Sequence, residues 1–463
     1  MLKTQTSSSF EIKPTLFFTI VALQIGFGLL FYHFFKPVLI ALFILSFFIL
    51  ILYNIELSFL LILAIIFLVP GHGHEIPPLN LGIELKFIWS ALLVVIIFLL
   101  IEIITKQRRY QPTHLKIPML FFCSYLVVTT LMGILRGCET ELIRRDFLTL
   151  SLFSLYFFIP SLMQGKKTFR YFMNILIFIT AIVALQYLII FILNLTGGTF
   201  IRIKPNQGLV FIFTIPLIFS YLLIMKVSLI KRLLLITTLI LALSGIAITL
   251  TRGLWIALTI GIIIVLFLFH KEVNWRRVSI VGTVIIAGFI ITMLIVVKII
   301  GIDLWTFITA RASTLLALSQ IVSIKQRVLA NQLVLEQFKH MPIFGSGLGS
   351  QISYSFMGGI FKVRWIDNSY LMLLWKLGVV GTLPFFILIA FALIQAVRAF
   401  KSSSTGIMKA FSGTMISFLI SWIILGIASP LMIKYLLNVI WITLIAVIIN
   451  RNNIAYEYSD NHA

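Results

Sequence analysis

Carboxylates are scarce in this sequence: 14 Asp and Glu stand against 36 Lys and Arg in 463 residues. An acid placed beside an apolar run therefore needs a reason. Cysteine is rarer still, with only two, Cys123 and Cys138. That excludes a disulfide framework and any cysteine-based metal spacing. Polar surface is lacking too, since 61% of the residues are hydrophobic, more than a soluble globular domain can cover. The apolar runs are continuous and not alternating, which excludes a membrane β-barrel. No small-residue cleavage site follows the first run, so it reads as a retained helix and not as a signal peptide.

What the chain does have is about fourteen apolar runs of roughly the 18–20 residues that span a bilayer, from 15–35 to 431–449. The expected fold is an all-α polytopic integral membrane protein with about 12–14 transmembrane helices and one long extracytoplasmic loop. It divides into a transmembrane region over 1–299 with about 11 spans, the loop over 300–368 with an amphipathic helix, C-terminal transmembrane helices over 369–449 and a cytoplasmic tail over 450–463. One span is expected over 147–163 and another over 369–396.

Loop charge sets the orientation. The segments 106-KQRRYQPTHLK-116, 164-QGKKTFR-170, 226-KVSLIKR-232, 271-KEVNWRR-277 and 398-RAFKSSSTGIMK-409 are rich in Lys and Arg, whereas 71-GHGHEIPPLNLGIEL-85 has neither. Positive loops stay on the cytoplasmic side, so both termini are expected there. The net charge of +22 is then a matter of topology and not of nucleic-acid binding, and no nucleic-acid partner is expected. Within the long loop, 324–340 reads as a helix with an apolar stripe of Ile324, Val328, Leu335 and Phe338, stopped by Pro342. A glycine-rich turn, 343-IFGSGLGS-350, follows.

Most spans carry no charge. The notable outward charges are Arg202, Lys204, Arg252, Arg327, Lys362, Arg364 and Asp367, all at span ends or in the loop. This places a site at the membrane–water boundary and not along an ion path through the core. Arg252 reads either as a snorkelling anchor beside Trp255 or as a guanidinium aimed at a phosphate. Asn206 and Asp367 read as helix caps or as site residues. Lys376 either snorkels or meets an acid from another span. Gly345, Gly347 and Gly349 read as a tight turn, with an anion nest as the functional alternative. They lack the Lys-Ser/Thr ending of a nucleotide-binding loop. His72 and His74 share a loop without ligand-spaced partners, so no metal is expected.

Four of these segments, in order, resemble the O-antigen ligase and polymerase superfamily of bacterial surface-polysaccharide enzymes. They are 202-RIKPN-206, 251-TRGLW-255, Arg327 followed by 342-PIFGSGLG-349, and 367-DNSYLMLLWKLGVVG-381. The resemblance covers about 200–381 and rests on the ordered set together with the long loop. Ligases of that family typically place a His before the Asn; Asp367 stands there, which is more similar to the polymerase branch. The resemblance implies a glycosyltransferase of the bacterial cytoplasmic (inner) membrane. It would polymerise oligosaccharide repeat units carried on undecaprenyl pyrophosphate, for O-antigen, capsule or exopolysaccharide.

On that reading Asp367 is the base toward an acceptor hydroxyl, and Arg252 and Arg327 are catalytic clamps on the pyrophosphate. Arg202, Asn206, Gly345, Gly347, Gly349, Arg364, Asn368 and Tyr370 bind substrate. No cofactor is expected. The implied partners are the undecaprenyl-pyrophosphate-linked glycan, membrane lipid, a chain-length regulator and a flippase. A ligase acting on a lipid or other acceptor is the alternative within the superfamily. A flippase or transporter is the alternative outside it, predicting paired halves and a polar midplane path that the sequence lacks.

Overall fold

The computed structural model describes residues 50–68, 85–108, 110–111, 114–163, 165–196, 208–225, 227–249, 251–272, 275–300, 322–356, 359–403, 406–431 and 435–450. The chain divides into two compact units, residues 1–59 and 60–463. The described part of the first is helical over 50–53, with a further helix starting at Ile55. The span expected at 15–35, most of the one at 37–53, the acid-bearing loop 71–84, the start of the long loop and the tail from 451 lie outside the described residues.

The helices are α1 (Ile55–Leu68), α2 (Leu85–Ile104), α3 (Lys116–Leu135), α4 (Thr140–Ser151), α5 (Ile159–Leu162), α6 (Lys166–Thr196), α7 (Val210–Ile224), α8 (Leu229–Ile248), α9 (Arg252–Phe269), α10 (Trp275–Ile300), α11 (Val322–His340), α12 (Ser369–Ser402), α13 (Gly406–Ile427) and α14 (Tyr435–Ile449). Among the described residues six are long and apolar enough to cross a membrane, and several shorter apolar helices accompany them. The protein is an all-α polytopic membrane protein. In such a setting every backbone N–H and C=O needs an internal partner, which is why the described residues are mostly helical.

α13 is the most enclosed of the six. Its hydroxyls join helices where the backbone comes close. Ser417 Oγ donates to the Gly261 carbonyl at 2.8 Å and Ser421 Oγ to the Ala257 carbonyl at 2.8 Å. A Cβ on Gly261 would stand 3.0 Å from Ser417 Oγ, so the small residue sets the approach. The pairing is antiparallel, and the first turn of α9 therefore lies at the last turn of α13. Aromatic rings fill the space between α12, α13, α14 and the segment after α4. Trp422 and Trp441 stack at 4.9 Å, and Phe153 meets Trp441 and Phe385 edge-on at 5.4 and 5.8 Å.

The structure departs from the sequence reading in four places. The span expected over 147–163 is not one helix: α4 gives way to a 3₁₀ helix, Leu152–Phe157, and then to the single turn of α5. α4 exposes Arg144 and Arg145 and buries Ile143, Asp146 and Leu150, so it lies as an amphipathic helix before the chain turns inward. The long loop also holds an antiparallel hairpin, β1 (Ile352–Phe356) and β2 (Gly359–Val363), paired from Ile352↔Val363 to Phe356↔Gly359. The covered face of α11 is Ala330 and Val334, whereas Val328 and Leu335 of the expected stripe are exposed. Finally, the span beginning at 369 is broken at Gly378 (φ 64°, ψ −173°).

Candidate active site at the broken helix

The break leaves a short half-helix, 369–377, at the end of the bundle where the long loop packs. Asn368 starts it: its Oδ1 accepts the N–H groups of Tyr370 and Leu371 at 3.1 and 3.0 Å. That is the ordinary N-cap geometry. Ser369 ties the same turn to the segment after α13, donating to the Ser429 carbonyl at 2.7 Å and accepting from the Leu431 N–H at 2.7 Å. Tyr370 turns away toward α13, its hydroxyl donating to the Ile423 carbonyl at 2.7 Å. Because Asn368 does the capping, the Asp367 carboxylate stands just outside the helix with no capping duty. It meets the Arg327 guanidinium, Nε to Oδ2 at 2.5 Å, with the two side chains 47% and 32% exposed. The structure thus brings together Arg327 from α11 and Asp367 from the entrance to α12.

The glycine-rich segment is a tight turn, the first of its two readings, and it is packed against the helix break. A helix break exposes backbone groups that water cannot reach, and residues 342–347 supply the missing partners. The carbonyls of Trp375 and Lys376 accept from the Ser346 and Gly347 N–H groups at 2.6 and 3.0 Å. The amides of Val379 and Val380 donate to the Pro342 and Ile343 carbonyls at 2.9 and 3.2 Å. The turn continues onto α3 and α4: Leu348 N–H reaches the Thr129 carbonyl at 3.1 Å and Gly349 N–H reaches Asp146 Oδ2 at 3.0 Å. From the other side, Arg136 Nη1 donates to the Gly345 carbonyl and the Tyr125 hydroxyl to the Phe344 carbonyl.

Such close approach needs glycine. Gly345 has φ 72°, and a Cβ there would lie 2.4 Å from the Gly378 nitrogen; one on Gly349 (φ 80°) would lie 2.5 Å from Ile143 Cγ1. The amides of 345–349 all donate within the protein, Gly345 to the Met341 carbonyl included. Gly345, Gly347 and Gly349 are therefore packing residues. None of these amides is free to form an anion nest, the alternative reading of the segment.

Lys376, on the last turn of the half-helix, forms a buried ion pair with Asp146 of α4; the side chains are 3% and 6% exposed. The open alternatives for Lys376 close in favour of an acid from another element. Asp146 itself escaped the sequence reading, although a signal was present. It sits at the centre of the stripe Ile143, Asp146, Leu150, a carboxylate on the covered face of an otherwise amphipathic helix. Arg364 follows β2 with its guanidinium 4.2 Å from the Trp365 ring. Burial pushes it below the ordinary arginine range, with the nearby Asp146 carboxylate pulling the other way.

Arg252 opens α9. Its neighbour Gly253 would bring a Cβ to 3.0 Å from Leu425, next to Gly426, where the Tyr370 hydroxyl lies 2.9 Å from an added Cβ. Arg252 therefore shares an end of the bundle with Asp367, through the α9–α13 pairing. Arg202 and Asn206 lie outside the described residues. Comparison of the chain with protein-family models gives no match, and comparison with curated proteins gives none either.

Proposed function

We propose that the protein is a membrane glycosyltransferase that joins oligosaccharide repeat units carried on a polyprenyl pyrophosphate at the outer face of the bacterial cytoplasmic membrane. The observation that carries this reading is the part-exposed Arg327–Asp367 pair at the mouth of a capped half-helix. Arg252 at the same end supports it, as does the ordered set of segments described above. The reaction needs a base toward an incoming hydroxyl and cations toward a leaving pyrophosphate.

The chemistry then runs as one displacement. The acceptor hydroxyl oxygen attacks the anomeric carbon of the donor repeat unit. The bond from that carbon to the phosphate oxygen breaks, and polyprenyl pyrophosphate departs with the electron pair. The hydroxyl proton passes to Asp367. At rest the Asp367 carboxylate is occupied by the Arg327 guanidinium, so the pair must open before the carboxylate can meet the hydroxyl. The donor pyrophosphate, with more negative charge than one carboxylate, draws Arg327 away and leaves Asp367 able to accept the proton. Arg327 thus serves in both states: it holds Asp367 before binding and neutralises the leaving group during transfer.

The test uses a strain lacking the chromosomal copy and carrying its own polysaccharide cluster. With Asp367→Asn, which keeps a hydrogen-bond acceptor toward Arg327, long surface chains should fall by about 10²–10⁴-fold at unchanged protein level. Single repeat units should accumulate on the carrier at the outer leaflet. Full-length chains stranded on the carrier would mean transfer to a different acceptor, that is, a ligase. Repeat units held at the inner leaflet would mean a flippase and would overturn the reading.

A further inference from the structure

We infer that Asp146 and Lys376 are positioning residues: their sealed ion pair locks the 342–349 turn into the break of α12 and so holds Arg327 and Asp367 in register. The inference rests on the reading of that outer pair as the reacting one. Asp146 Oδ2 accepts from Lys376 Nζ and from the Gly349 N–H. Lys376 offers its own carbonyl to the Gly347 N–H. The turn is gripped at both of its last two glycines by one residue of the half-helix, once through backbone and once through a carboxylate reached across from α4.

The pair has direct lines to both members of the outer site. The turn follows α11 with only Met341 between His340 and Pro342, and α11 is tied to the half-helix where Trp375 Nε1 donates to Gln337 Oε1 at 2.8 Å. That fixes the helix bearing Arg327. Lys376 closes the half-helix whose first turn is entered from Asp367, which fixes the other partner.

The chemistry explains why a charged pair stands there and not another apolar contact. The remaining ties between turn and break are neutral backbone hydrogen bonds, each modest in strength, and the glycines set only how closely the two segments approach. A buried charge finds its partner at one position only, and any other register leaves both ions unpaired in a dry environment. The pair is enclosed, so it is not poised to meet substrate directly.

The experiment uses purified full-length protein with Cys123 and Cys138 replaced by serine and a reporter cysteine at the half-buried Ser346. Reactivity of that cysteine toward a maleimide reads the seating of the turn, independently of any glycosyl transfer. Surface-polymer output in the deletion strain reads the function. Asp146→Leu and Lys376→Met should each speed labelling at least tenfold and cut polymer output at least a hundredfold. The double variant Asp146→Leu/Lys376→Met leaves no unpaired ion but also no acceptor for the Gly349 N–H, so labelling and output should both fall between the single variants and the parent. If a single variant fails to yield folded protein, Asp146→Asn serves instead. It retains an acceptor for Gly349, and intermediate labelling with intermediate output is then expected.

A double variant that is protected yet inactive would show that one of the two acts on substrate itself, and would overturn the inference. Single variants that label fast but keep full output would do the same, by uncoupling the turn from the site. Asp367→Asn in the reporter background should stay protected. If it is also fully active, the base assignment fails while the positioning of the turn still stands.

Discussion

Two ion pairs flank one short helix and behave as opposites. Asp146–Lys376 at the inner end of the half-helix is enclosed, with both side chains under a tenth exposed. Arg327–Asp367 at its outer end is a third to a half exposed. Water and counterions screen the second but not the first, so the same formal pairing has different consequences. The sealed pair resists change and specifies geometry. The open pair contributes little to stability and can exchange partners, which is what a site meeting an anionic substrate requires.

The contrast can be broken most severely from the inside. Asp146→Ala leaves a buried ammonium without a counterion, and a loss of about 3–5 kcal/mol is expected, read as a fall in thermal midpoint in detergent. Gly345→Ala comes next. Its positive φ and the 2.4 Å approach to the Gly378 nitrogen leave a methyl group nowhere to go, and a loss of about 1–3 kcal/mol is expected by the same measurement. Asn368→Ala removes the cap of the half-helix and should cost about 1 kcal/mol. It also frees the first turn that Asp367 precedes, so polymer output should fall further than that energy alone predicts. The smallest stability effect belongs to Asp367→Asn, about 0–1 kcal/mol, paired with the largest loss of polymer. If thermal midpoints for Asp146→Ala and Asp367→Asn turned out equal, the distinction between a sealed and an open pair would collapse.

Much of this was legible in the sequence. The apolar runs gave the class, and the break in their rhythm marked the long loop. The helix at 324–340 was expected within a few residues of Val322–His340. A cap at the start of the span was legible, but the sequence reading gives the capping option to Asp367 and the structure assigns it to Asn368. That choice depends on backbone dihedrals, and Asn368 takes the extended conformation that a cap needs (φ −126°, ψ 105°). The hairpin was missed although ISYSF alternates and Gly358-Gly359 follows it; the strands are five residues each and sat inside a stretch read only for charge.

The helix break was hidden for a different reason. Gly378 lies in a run apolar enough to span a membrane, and a break there is tolerable only because a distant segment supplies its hydrogen bonds. Such tertiary compensation leaves no local trace. The same holds for the turn glycines: their spacing reads as an anion loop until it is known where their amides point. The stripe on α11 was misplaced because the covered face holds only the small Ala330 and Val334, flanked by Gln326 on the Tyr354 hydroxyl and Gln337 on Trp375, so the larger apolar residues marked a different face.

The serine seam between α9 and α13 bears on Arg252 in a way that has to do with step size. Carbonyls recur along one helix face once per turn, so the contacts of Ser417 with Gly261 and of Ser421 with Ala257 can re-form only after a displacement of about 5.4 Å. Anything smaller breaks both. The reach of Arg252 beyond the bundle is therefore quantised, like a latch with fixed notches. Small slides of α9 along α13 are resisted by both contacts at once, so Arg252 meets a ligand at one depth of the bundle or a full turn away from it.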